Sequence, residues 1–288
     1  MATTGDSVLR SENIEAMVKG FALQEYTMKQ VVMQSTSTSW QESYYQETAT
    51  ELTAKGTRKI KGVARLAAFP YGEVNWEQKS AYMQKYGLEG TVSYEDERMN
   101  NIDVIARTLL RIARGVAKAV DDEIWEVISE NQTPVNINSE AITAGDEWDS
   151  ATIANRDPIQ NILNSRSAIR KYNYNISNGF LLLNPTDESN LLGNANIRNA
   201  GQFYTDAVTK NGVIGRAFGL TFIVSNSVTD DYAMVIANKE AANWKSANPL
   251  TVVTIDDPGI KKTIRAWEIG VTQLINPKAI TLISNTQA

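Results

Sequence analysis

Between Asn100 and Ser129 the apolar side chains Ile102, Ile105, Leu109, Ile112, Val116, Val120 and Ile124 recur at spacings of three and four. That period defines one apolar face of an α-helix. Asp103 sits in the expected first turn, where a negative charge suits the helix dipole. Thr133-Pro134 lies just beyond the expected end. At about 1.5 Å per residue the segment makes a rod of roughly 40 Å, far longer than the average helix.

The other side of this rod is cationic. Arg107, Arg111, Arg114 and Lys118 stand at intervals of 4, 3 and 4, so they point within roughly 60° of one another. Their mean direction lies nearly opposite the apolar face. Asp103 can relieve Arg107, and Asp122 can relieve Lys118; Arg111 and Arg114 have no acidic residue three or four positions away. Two readings follow: an ordinary solvated face, or a stripe that meets a polyanion and releases its counterions.

A second unusual stretch runs from Ser35 to Pro70. It opens with STSTSWQESYYQETAT, polar and β-prone, and continues with KGTRKIKGVARLAAFP, rich in Lys, Arg and Gly. It reads as a long two-stranded excursion with a basic return arm. The arm carries Lys55, Arg58, Lys59, Lys61 and Arg65, flanked by Trp40, Tyr44, Tyr45, Phe69 and Tyr71. A solvated polar loop is the plainer alternative. A hairpin with so little core of its own is marginal in water, and aromatic and Arg side chains are favoured interface anchors. The excursion is therefore expected to become ordered by docking, most simply on a neighbouring copy.

The remaining pattern is mixed. Ser7–Gln34 shows a ragged helical spacing broken by Gly20, and Gly72–Glu97 reads as short strands around turns at Tyr86-Gly87 and Glu89-Gly90. Asn131–Ala154 reads as a polar connector, and Asp157-Pro158 as an N-cap and first helical residue. Strands are expected at Phe180–Leu183, Leu220–Ser225, Tyr232–Ala237, Thr263–Leu274 and Ala279–Ser284, with a turn at Asp257-Pro258-Gly259. Intermingled helices and strands give an α+β class.

Composition narrows the chemistry. The 288 residues contain neither cysteine nor histidine. Thiol nucleophiles, thiolate or imidazole metal sites and Ser-His-Asp triads are thereby excluded, which raises the weight of a structural or binding role. No catalytic, cofactor-binding or metal-binding residue is assigned. Gly212-Val213-Ile214-Gly215 with Gly219 lacks dinucleotide-loop spacing, and Trp244-Lys245-Ser246 lacks the glycines of a phosphate loop. Glu95-Asp96-Glu97 and Asp121-Asp122-Glu123 read as helix-start and helix-surface acids rather than cation ligands. The formal net charge of −5 gives no global sign of nucleic-acid binding, so any basic surface is local. Apolar runs are too short for a membrane span, and MATTGDSVLR has no secretory pattern; the chain is read as a product of a cytoplasm.

The order of elements resembles the major capsid proteins of tailed bacteriophages, a fold shared with bacterial encapsulins. The features that carry it are a helical N-terminal arm, a long extended loop at about Ser39–Trp76, and the strand region KSAYMQKYGLEGTVSYEDERMN. They continue with the long helix IDVIARTLLRIARGVAKAVDDEIWEVI, then FLLLNPTDESNLLGN, then the pair GLTFIVSNSV and DYAMVIANKEAANW. The closing strands TIRAWEIGVTQLINPKAITLIS complete the order. Together they cover most of the chain. The resemblance implies an arm over residues 1–38 and an extended β-hairpin loop over 39–76. It also implies a peripheral domain over 77–154 and 257–288, with the helix at about 100–129 as its spine, and an axial domain over 155–256. It further implies a non-enzymatic shell subunit of an icosahedral virion, without cofactors, whose partners are other copies in pentamers and hexamers. Packaged double-stranded DNA and scaffolding, portal and decoration proteins complete the implied partners, with no membrane, and with assembly in the host cytoplasm. Arg107, Arg111, Arg114 and Lys118 would then face the lumen. Alternatives are an encapsulin-like compartment holding protein cargo and, in another class, a His-free two-domain enzyme or ligand-binding protein.

Overall fold

The computed structural model of the chain describes residues 16–21, 26–47, 60–72, 76–99, 102–195, 197 and 216–288. A short helix α1 (Tyr94–Arg98) leads toward the long helix α2 (Ile102–Ile128), close to the span its periodicity predicts. Ser93 caps α1: its Oγ accepts from the Asp96 N–H at 3.1 Å and donates to the Asp96 carboxylate at 2.8 Å. On α2 the side chains of Leu109, Ile112, Val116, Val120 and Ile124 are all buried.

Among the described residues the strands form two larger sheets and a two-stranded ribbon. The first sheet has the order β1 (Met33–Thr36), β10 (Ala242–Asp257), β11 (Lys261–Leu274), β4 (Gln84–Ser93). Strands β10 and β11 are antiparallel, and their register shifts on either side of Asn248; the second shift spans Pro249, which has no N–H to give the ladder. Helix α2 lies across β4 and β11. It approaches closely because two contact points lack side chains. A Cβ on Gly90 would stand 2.5 Å from Ile112 Cδ1, and one on Gly115 would stand 2.6 Å from Leu88 Cδ2.

The second sheet has the order β5 (Asn138–Ala141), β12 (Ile280–Ser284), β9 (Tyr232–Ile236), β6 (Gly179–Leu183), β8 (Leu220–Val224), β7 (Arg216–Ala217). Helix α3 (Pro158–Arg170) packs on β5 and β12; Asp157 caps it by accepting from the Gln160 N–H at 3.1 Å. Asn184 likewise caps α4 (Pro185–Gly193). Side chains from both sheets and α2 join in one contiguous core. The ribbon pairs β2 (Gln41–Glu47) with β3 (Trp76–Tyr82).

Several sequence expectations change. The turns expected at Tyr86-Gly87 and Glu89-Gly90 lie inside the continuous strand β4; its glycines serve close packing, not reversal. The helical reading of Ser7–Gln34 holds among described residues at 16–21, after which Met28–Gln30 forms a 3₁₀ turn and Met33–Thr36 a strand. Pairing with β10 overrides local propensity there. The polar connector contains β5, which gains a parallel partner in β12, and the buried Trp148. Strand pairing also departs from the 257–288 and 155–256 division. Strand β10 lies in the sheet that carries α2, whereas β12 lies in the other sheet, between β5 and β9. Strand β12 takes its place from the distant β5 and β9, whereas β10 pairs through a local hairpin with β11 and is tied to the helix by β11's pairing with the distant β4.

Candidate assembly and polyanion-facing surfaces

The basic stripe emerges as the periodicity requires. Arg107, Arg111, Arg114 and Lys118 are all exposed, on the side of α2 opposite its buried face. Lys118 pairs with Asp122 one turn away at 2.7 Å, as expected; the Asp103 side chain lies outside the described ones. A surface ion pair of this kind contributes only a few tenths of a kcal/mol. The stripe therefore persists as a cationic surface because the opposite face is anchored in the core.

In the extended loop the described residues divide in two. Along β2 exposure alternates: Ser43 and Tyr45 point outward, while Glu42 and Tyr44 are half-buried and Gln46 is buried. The inward residues meet their own chain. Lys245 pairs with Glu42 at 2.7 Å, Gln46 Nε2 donates to the Leu274 carbonyl at 3.3 Å, and the Glu47 N–H donates to the Ile275 carbonyl at 2.9 Å. Burial raises the Tyr44 phenol above its usual range. This corrects the expectation that the whole excursion lacks surface of its own, because β2 is docked on the body. The return arm differs. Across residues 60–72 every side chain is exposed except half-buried Pro70. Lys61 and Arg65 are in this arm, with Ile60 70% and Phe69 82% accessible and Leu66 fully so. Trp40, at the foot of β2, is 68% accessible. Lys55, Arg58 and Lys59 lie outside the described residues.

A buried charged cluster went unread in the sequence. Glu268, on β11, is 3% accessible and accepts from Tyr26 Oη at 2.6 Å, from Trp244 Nε1 at 3.3 Å and from Lys29 Nζ at 2.6 Å. Burial lowers the Lys29 ammonium pKa, and the Glu268 carboxylate opposes that shift. Burial and the Glu268 charge together raise the Tyr26 phenol. Nearby, Asp121 of α2, expected on the helix surface, is buried instead and accepts from the Thr27 N–H at 2.8 Å, Thr27 Oγ1 at 2.7 Å and the Met28 N–H at 3.2 Å. Burial still pushes the Asp121 carboxyl upward. These two carboxylates clamp residues 26–30 onto the sheet and the long helix. One signal was available: Glu268 occupies an inward position of β11, in step with Ile264 and Ala266. Nothing local marks Lys29 as its partner.

Other candidate motifs have structural roles. Trp244-Lys245-Ser246 lies in β10, and Gly219 makes the β7–β8 turn with φ of 73°. Gly212–Gly215 lies outside the described residues.

The sequence profile of the family described as phage capsid protein matches residues 76–283. No curated protein sequence matches the chain. Among solved structures, the capsid of cyanophage P-SCSP1u has 11% identity, covering 90% of this chain and 88% of its own, at a TM-score of 0.66. The virus-like particle from Pyrococcus furiosus has 10% identity, covering 95% and 99%, at a TM-score of 0.63. A Mycobacterium phage Che8 structure has 17% identity, covering 87% and 86%, at a TM-score of 0.59. These likenesses establish a common fold across nearly the whole chain.

Proposed function

The chain belongs to the phage capsid protein family, and on that premise we propose that it closes its shell by laying the 60–72 arm on a neighbouring copy and turns the α2 stripe toward enclosed double-stranded DNA. It is a major capsid protein, a structural subunit of an icosahedral bacteriophage shell and a component of the virion. Family membership favours this role over the two-domain enzyme or ligand-binding alternative.

One observation carries the docking reading: Ile60, Leu66, Phe69 and Tyr71 are presented together on an arm that buries almost nothing against its own chain. Fully burying one such side chain is worth about 1.5–3 kcal/mol. An arm from each subunit onto the next is a heterologous contact, which generates closed rings when the rotation closes. Rings of five and six copies, formed in the host cytoplasm, would build the shell, with scaffolding, portal and decoration proteins as further partners. Catalysis has no part in this reading.

The test is assembly. Leu66→Ser/Phe69→Ser, and separately deletion of residues 48–67, should leave folded, soluble subunits that form no shells by electron microscopy. Normal particles from either variant would refute the docking role. For the lumen, assembled Arg111→Glu/Arg114→Glu particles should retain less DNA than wild type. Equal retention would count against the stripe, and wild-type particles filled with protein instead of nucleic acid would favour the compartment alternative.

A further inference from the structure

An open cleft of about 410 Å³ lies where the basic stripe meets the loop that follows β8. One wall is α2, with Arg114 and Lys118; the other is Ser225, Asn226 and Ser227, from the second sheet. We propose that this cleft seats a backbone phosphate of the enclosed DNA, so that the polyanion site is shared between α2 and the 225–227 loop. The proposal rests on the DNA-facing reading of the stripe and adds a second wall to it.

The donor set fits a phosphodiester. A guanidinium, an ammonium, a side-chain amide and hydroxyls converge on one space, the combination that positions phosphate groups without reading bases. The loop is held in place for this. The Ser227 N–H donates to Ser225 Oγ at 3.2 Å, and Ser225 Oγ lies 3.2 Å from Thr27 Oγ1, which itself donates to Asp121 at 2.7 Å. Asp121 also lines the cleft, but backbone N–H groups of Thr27 and Met28 occupy its oxygens. Asp122 pairs with Lys118 at 2.7 Å, and a phosphate would compete for that exposed ammonium. Asn226 is exposed, so its substitution tests the loop wall without disturbing the core.

Duplex DNA binding to the full-length chain is measured by fluorescence anisotropy at several salt concentrations for four proteins. These are wild type, Asn226→Asp, Arg107→Glu/Arg111→Glu, and Gln84→Glu as an equal charge change on β4. The expected result is a loss of about fivefold for Asn226→Asp, with the salt slope reduced by about one because the new carboxylate cancels one cationic phosphate contact in the cleft. Gln84→Glu should match wild type. If the arginine variant loses affinity while Asn226→Asp does not, the cleft is overturned and the stripe stands. If neither loses affinity, both readings fall. Equal losses in Asn226→Asp and Gln84→Glu would show a general charge effect and overturn the cleft. So would stabilisation by inorganic phosphate that Asn226→Asp abolishes without any change in DNA binding.

Discussion

Adding one methyl group at Gly270 should destabilise the folded subunit far more than its size suggests. Gly270 lies on β11 opposite Ser246 of β10 and Gln84 of β4. A Cβ there would stand 2.8 Å from both Trp244 Cε2 and the Lys245 carbonyl oxygen, and nearer still to Trp244 Cζ2. Ordinary carbon contacts lie at about 3.5–4.0 Å, so something must yield by most of an ångström. Neither neighbour can do so easily. The Trp244 ring is 2% accessible, donates to Glu268 and leans on Tyr86 with centroids 6.0 Å apart, and Lys245 belongs to the strand ladder. Gly270→Ala should therefore cost about 2–3 kcal/mol, the upper part of the range for overpacked cores. Trp244→Phe removes the obstructing ring atoms, at a cost of its own from lost packing and the lost bond to Glu268. In the double variant the two penalties should overlap, leaving a coupling of about 1–2 kcal/mol. Urea unfolding of unassembled subunits measures all four corners of the cycle. A Gly270→Ala midpoint equal to wild type, or strictly additive penalties, would refute the packing argument.

Two further predictions concern buried carboxylates. Glu268→Gln leaves the half-buried Lys29 ammonium without its counter-charge and should cost about 3 kcal/mol, the low end for a broken buried pair; an unfolding midpoint within experimental error of wild type would show that the clamp is dispensable. Asp187 is fully buried and accepts from Thr286 Oγ1 at 3.0 Å and Gln287 Nε2 at 3.1 Å. Burial raises its pKa from 3.8 to about 6, with Asp231 and Asp149 adding to the rise. A raised carboxyl binds its proton more tightly when folded. Its contribution is complete below pH 3.8 and is lost as pH rises through about 6. Relative to Asp187→Asn, wild type should therefore gain stability as pH falls from 7 toward 4. Identical pH slopes of the urea midpoint for the two proteins would contradict this.

The sequence alone determined the long helix, its buried side and its basic stripe. A period near 3.6 is a local property, and an apolar face of such length orients every other side chain around it. It also marked the arm that remains exposed: Ile60, Leu66 and Phe69 sit among small and charged residues, with no alternation that would bury them together. Tertiary structure decided what depends on distant partners. Strand β10, with its mixed NWKSANPLTVVTIDD run, meets β11 through the legible turn at Asp257-Pro258-Gly259 but acquires its other neighbour, β1, from the far end of the chain, and β5 acquires its place from β12. The inward Glu268 could be suspected from its register, but Lys29 is 239 residues away. The same holds for the meeting of Arg114 and Lys118 with Ser225–Ser227. The physical reason is common to all of these. Side-chain periodicity is written along the chain, whereas sheet order, buried ion pairs and two-walled clefts arise only when segments that share no local signal are packed together.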